Sequence, residues 1–183
     1  MNACMEKRHY HIIAPLRTNQ TETLSVDSIP TFDATTLDAS LKVINVTSET
    51  LSESKSMTAY SLARSFAREG HRTILLELDF RSPVLLQWLC ENNVLKLEDV
   101  IQDATSLASA IMPLSDHLDM LCGAERTEGI AGFFLGRVFK QFIHRLKDSY
   151  DKVIIDAPPL NKHKDALILR DYACATIVVH PRV

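Results

Sequence analysis

Residues 41–79, LKVINVTSETLSESKSMTAYSLARSFAREGHRTILLELD, change their hydrophobic period twice within one stretch. Leu41-Lys42-Val43-Ile44-Asn45-Val46 is a short β-rich run, the pattern of a buried strand. Thr47 to Ser56 is a serine-rich loop. From Met57 to Glu69 apolar residues return at helical spacing (Met57, Tyr60, Ala63, Phe66, Ala67), and Gly70 supplies a helix stop. Thr73-Ile74-Leu75-Leu76-Glu77-Leu78 is a second apolar run. Strand, loop, helix and strand make a βαβ unit. Its crossover requires parallel strands and is right-handed in almost every case.

The alternation continues outward from this unit. Val84 to Cys90 reads as a short helix, Leu97 to Ile101 and Leu107 to Ile111 as helical or edge pieces, and Leu118 to Leu121 as a weak strand. Phe133 to Tyr150 reads as one amphipathic helix, with Phe134, Val138, Phe142, Ile143 and Leu146 on one side. Lys152 to Asp156 reads as a buried strand, Asp165 to Asp171 as a helix and Ala175 to Val179 as the last strand. Near-continuous apolar strands separated by helices predict an α/β domain, a three-layer sandwich around a mainly parallel sheet. Residues 41–183 form that domain. Residues 1–40 are polar, rich in Thr, Ser and Asp, and interrupted by Pro15 and Pro30; they read as an N-terminal arm with one short helix at most.

Composition bounds the function. The 183 residues are 46% hydrophobic and 23% charged, an ordinary globular balance with enough chain to bury a core. A net charge of −3 provides no basic footprint for nucleic acid. No run approaches the 18 apolar residues of a membrane span, and Met1 to Arg8 has no apolar signal core. The four cysteines (Cys4, Cys90, Cys122 and Cys174) lack CxxC spacing and read as buried thiols of a cytoplasmic protein. His9, His11 and His163 have no zinc spacing. The basic cluster Arg137, Lys140, His144, Arg145 and Lys147 reads as the solvated face of its helix.

The loop after the first strand is where such a unit holds an anion. Backbone N–H groups and the helix N-terminus point at phosphate, and a lysine reaches over it. Glu49-Thr50-Leu51-Ser52-Glu53-Ser54-Lys55-Ser56 aligns with the G-x-x-x-x-G-K-[ST] pattern. Lys55 and Ser56 stand in their places, and both glycines are absent. Ser52, Ser54, Lys55 and Ser56 are the candidate phosphate-binding residues. The alternative is a solvated serine-rich turn that caps a helix. Glu77 and Asp79 close the second strand, and a carboxylate there faces the ligand crevice of a parallel sheet. Asp156 ends the strand Val153-Ile154-Ile155, the form of a Walker B aspartate. A lysine–serine loop followed by Asp79 and then Asp156 yields the catalytic candidates Lys55, Asp79 and Asp156 and the metal candidates Ser56, Glu77, Asp79 and Asp156.

These segments resemble the bacterial tyrosine kinase family, the cytoplasmic kinase domains of polysaccharide co-polymerases, relatives of the MinD/ParA ATPases on the P-loop NTPase fold. The resemblance is carried by Thr47 to Ser56, by Leu75 to Pro83, and by Tyr150 to Leu160 with its Asp156-Ala157-Pro158-Pro159 signature followed by Asp165-Ala166-Leu167-Ile168-Leu169. It covers about residues 41 to 180. It implies ATP and Mg²⁺ as cofactors and a role in capsule or exopolysaccharide assembly. It also implies partners: the cytoplasmic tails of a membrane co-polymerase or an active kinase, with recruitment to the inner face of the membrane but no insertion.

The departures set the expectation. Ser54 replaces the glycine before the lysine, and a Cβ there is expected to resist the approach of phosphate. Glu49 adds a like charge if it points inward. Glu77 is one methylene longer than the family's aspartate. The ring-building Glu-x-x-Arg-x-x-Arg helix is reduced to Arg17 after Pro15, so a monomer or dimer is expected. No tyrosine cluster is present; Tyr10, Tyr60, Tyr150 and Tyr172 are scattered. The favoured expectation is a degenerate, pseudokinase-like regulatory module with weak ATP binding or none. The alternatives are an active ATP-dependent tyrosine kinase and a MinD/ParA-like ATPase.

Overall fold

The computed structural model describes residues 8–13, 37–50, 53–89, 97, 101, 104–123, 128–161 and 163–180. Seven strands form one sheet: β1 (Arg8–Ile13), β2 (Val43–Ser48), β3 (Thr73–Glu77), β4 (Met112–Ser115), β5 (Leu118–Cys122), β6 (Lys152–Asp156) and β7 (Ala175–His180). Their order is β1-β7-β2-β6-β3-β5-β4. Every pairing is parallel except that of β4 with β5. The helices are α1 (Glu53–Arg68), α2 (Val84–Leu89), α3 (Ala104–Ala110), α4 (Ile130–Leu135), α5 (Arg137–Ser149) and α6 (Lys164–Tyr172).

The expected βαβ unit is present, and its two strands do not touch. β6 lies between β2 and β3 and pairs with both, so Asp156 sits opposite Val46 on one side and Glu77 on the other. All residues of β2, β3 and β6 are buried, which requires cover on both faces of the sheet. α1 packs across β2, β3 and β6, while α5 packs on β6 and α6 on β2. Lys152, at the buried start of β6, donates to the carbonyls of Ala39 (2.6 Å) and Leu41 (2.8 Å) and lies over the Phe66 ring of α1. Burial holds this ammonium's pKa below its ordinary value, against the pull of Asp151.

Several expectations change. The N-terminal arm contributes β1, a parallel edge strand on β7; its short polar run gains strand structure from pairing rather than from intrinsic propensity. β4, which contains Pro113, was not foreseen, and proline is tolerated because this strand is the opposite sheet edge. The single helix expected over 133–150 is two. Gly136 is extended (φ −65°, ψ 148°) and ends α4, and its N–H bonds the Phe133 carbonyl. Around that corner Phe80, Phe133, Phe134, Phe139 and Phe142 stack, with neighbouring ring centroids 4.9–6.1 Å apart, and Tyr172 meets Phe139 edge-on. Cys122 is buried and stands beside Glu77. Cys174 is disulfide-bonded, which corrects its reading as a thiol; spacing alone does not reveal connectivity.

Candidate functional site

The site forms where β2, β3 and β6 end together. β2 runs to Ser48 and α1 starts at Glu53, so the connecting loop is shorter than the sequence suggests and Lys55 and Ser56 lie in the first turn of the helix. Backbone bonds bring the three strand ends into register. Leu78 N–H donates to the Asp156 carbonyl, Ala157 N–H to Val46, and Leu160 N–H to Ser48, all at 2.8–2.9 Å. The Thr47 hydroxyl donates to the Pro158 carbonyl at 2.7 Å, which ties the Asp-Ala-Pro-Pro turn to the phosphate-loop strand.

Lys55 is the hub. Its Nζ donates to Asp156 Oδ1 at 2.6 Å and to Ser56 Oγ at 3.3 Å, and lies 3.4 Å from Asp79 Oδ2. All four residues are buried, with exposures of 2% for Lys55, 0% for Ser56, 3% for Asp79 and 0% for Asp156. Burial lowers the proton affinity of the Lys55 ammonium. Asp156 and then Asp79 outweigh it, so the lysine's pKa stands above its ordinary value. Burial pushes the Asp156 carboxyl up, against the opposing pull of Lys55. The second oxygen, Asp156 Oδ2, is buried and has no hydrogen-bond partner among the described residues.

Of the expected site residues, the structure thus brings together Lys55, Ser56, Asp79 and Asp156. Ser52 lies outside the described residues. Ser54 is helical and half-buried, and its carbonyl accepts from the Thr58 hydroxyl at 2.7 Å. Helical backbone is available to any L-residue, so Ser54 carries no backbone strain, and its Cβ still takes up space beside the loop. Glu49 is exposed and lies 3.8 Å from the His180 ring nitrogen, at the end of β7. It does not enter the lysine cluster.

Glu77 shares the buried strand end but faces another partner. Its two oxygens accept the backbone N–H groups of Leu85 (2.5 Å) and Leu86 (2.8 Å) at the start of α2. Burial first, and the charge of Asp156 second, raise its pKa to about 8, against the pull of those two N–H groups and Cys122. Sequence reasoning missed this bond; the signal was Pro83, a helix-entry residue directly before α2. Arg81, two residues beyond Asp79, makes an ion pair with the buried Asp165 at the start of α6. Among the tyrosines, the hydroxyl of Tyr150 donates to Asp119 (2.7 Å) and that of Tyr172 to the Phe134 carbonyl (2.5 Å).

The donor set can be weighed against a divalent cation and a phosphate. Among the described residues no group of three or more His, Cys, Asp or Glu is placed to hold a metal. Two carboxylates and a hydroxyl do converge here, and one carboxylate oxygen is orphaned. Hard oxygen ligands of that kind, few in number, suit Mg²⁺ that keeps its waters and shares a phosphate. Ser56, Asp79 and Asp156 would hold it, and Lys55 would reach the phosphate.

Known proteins resemble the chain in sequence and in fold. No family model matches the chain. It is 29% identical over 144 residues to the tyrosine-protein kinase YwqD of Bacillus subtilis, covering 78% of this chain and 61% of that one. It is 31% identical over 147 residues to the tyrosine-protein kinase CpsD of Streptococcus pneumoniae serotype 4, covering 76% and 62%. The chain is homologous to the bacterial tyrosine kinases. It spans about three fifths of the length of these kinases. The VpsO kinase domain superposes with a TM-score of 0.71 at 22% identity, over 79% of this chain and 73% of that one, a likeness of fold.

Proposed function

We propose that this chain is a degenerate bacterial tyrosine-kinase-like module that acts as a regulatory or partner protein in capsule or exopolysaccharide assembly. The observation that carries the kinase-like part is the buried Lys55–Ser56–Asp79–Asp156 cluster at the ends of β2, β3 and β6. The glycine-free loop supports weak nucleotide affinity. Each charge-assisted bond from a phosphate cradle is worth roughly 1.5–3 kcal/mol, so displacing two costs about two to four powers of ten in affinity. Bound Mg²⁺ would supply charge neutralisation between phosphates. Its partners would be the cytoplasmic tail of a membrane polysaccharide co-polymerase or an active kinase, met as a monomer or dimer.

A second reading, an active kinase acting in trans, is favoured by the same cluster. One argument against activity weakens besides, since Glu49 points away from the lysine cluster. Calorimetry of ATP with Mg²⁺ separates the two. The regulatory reading expects no saturation below about 1 mM and no label on tyrosine. Micromolar binding with phosphotyrosine formation that Lys55→Ala abolishes establishes the active kinase instead.

A further inference from the structure

Three oxygen atoms of the cluster converge on one nitrogen. Asp156 Oδ1, Ser56 Oγ and Asp79 Oδ2 lie 2.6, 3.3 and 3.4 Å from Lys55 Nζ. These are the oxygens that a divalent cation would need, and the ammonium stands among them out of contact with solvent. We propose that Lys55 is the resident cation of this site, so that free metal is not held and a divalent ion enters only with an anionic ligand that draws the ammonium away. This inference rests on reading the cluster as a nucleotide-phosphate site and concerns the form in which its ligand arrives.

The argument is electrostatic. Two carboxylates and one ammonium leave a net charge of −1. A divalent ion placed beside the ammonium would bring two cations into contact in a medium of low dielectric, where like charges repel strongly. The two cations therefore exclude one another. Among the described residues Asp156 Oδ2 has no hydrogen-bond partner, so the ammonium, a point charge on a long stem, leaves part of the donor capacity unused. Lysine can leave by rotating that stem, and a phosphate gives it somewhere to go.

The test measures metal alone. Mn²⁺ is titrated by electron paramagnetic resonance, without nucleotide, into the wild type, Lys55→Met and Lys55→Arg. The wild type and Lys55→Arg, which keeps the cation, are expected to bind more weakly than about 1 mM. Lys55→Met is expected to bind at least about tenfold more tightly. Equal binding by wild type and Lys55→Met, or tight binding by the wild type, overturns the proposal. If Lys55→Met does not fold, Lys55→Met/Asp79→Asn compared with Asp79→Asn alone carries the same contrast, and no gain there also overturns it. Micromolar nucleotide binding with phosphotyrosine formation would sink the regulatory reading, while this metal-alone result stands or falls by itself.

Discussion

Glu77 reaches two backbone N–H groups at the start of α2 because its side chain is one methylene longer than the aspartate expected at such a strand end. Its pKa is raised from 4.5 to about 8. A carboxyl that binds its proton more tightly when folded contributes stability that is complete below the unfolded pKa and lost as pH rises through the folded one. The wild type should therefore lose thermal stability between about pH 4.5 and 8, and Glu77→Gln should flatten that slope in melting curves taken across the range. Asp156 is pushed in the same direction, so the difference between the two proteins, not the wild-type slope, is the measurement. Lys55 makes the opposite case. Lys55→Met strands two buried carboxylates, and breaking a buried ion pair costs about 3–5 kcal/mol, a loss that denaturant titration should show. The convergence of Lys55, Ser56, Asp79 and Asp156 was legible from order and spacing. The role of Glu77 was not, because it depends on where α2 approaches, which spacing does not encode.

Elements are shaped by a few close approaches. A Cβ on Gly123, just after β5, would stand 2.0 Å from Phe80 Cε1, and the Phe80 ring is held by Phe133 and Phe134. Gly123→Ala should therefore cost about 1–3 kcal/mol, with Phe80→Leu in the same chain recovering part of it in a double-mutant cycle. Phe80 directly follows Asp79, so the aromatic cluster also seats the loop that carries that acid. The buried strands β2, β3 and β6 were readable within two residues because runs such as Val153-Ile154-Ile155 leave no alternative. The break at Gly136 was not, since apolar periodicity runs through it on both sides. β1 and β4 were missed because edge strands carry a weaker apolar signal than central ones.

For the whole molecule, both sheet edges come from segments that sequence alone left uncertain, β1 and β4. Deleting residues 1–13 should bare the hydrogen-bonding edge of β7, and an unpaired edge recruits other chains. Light scattering should then detect concentration-dependent association that the full chain lacks; scattering equal to that of the full chain would refute the prediction. The central parallel sheet follows from the alternation of runs, but the position of β6 between β2 and β3 does not.

That interleaving dictates an order of assembly. Lys55 and Asp156 are 101 residues apart in the chain, and β2 and β3 share no ladder until β6 arrives to bridge them. Contacts of such long range form late, because loop closure must be paid before they are rewarded. During synthesis the first two thirds of the polypeptide can acquire helices but no continuous sheet core. Its buried ammonium has no counter-charge from Asp156 until the last quarter leaves the ribosome. A chain stopped at Ser149 should accordingly stay unfolded and prone to proteolysis.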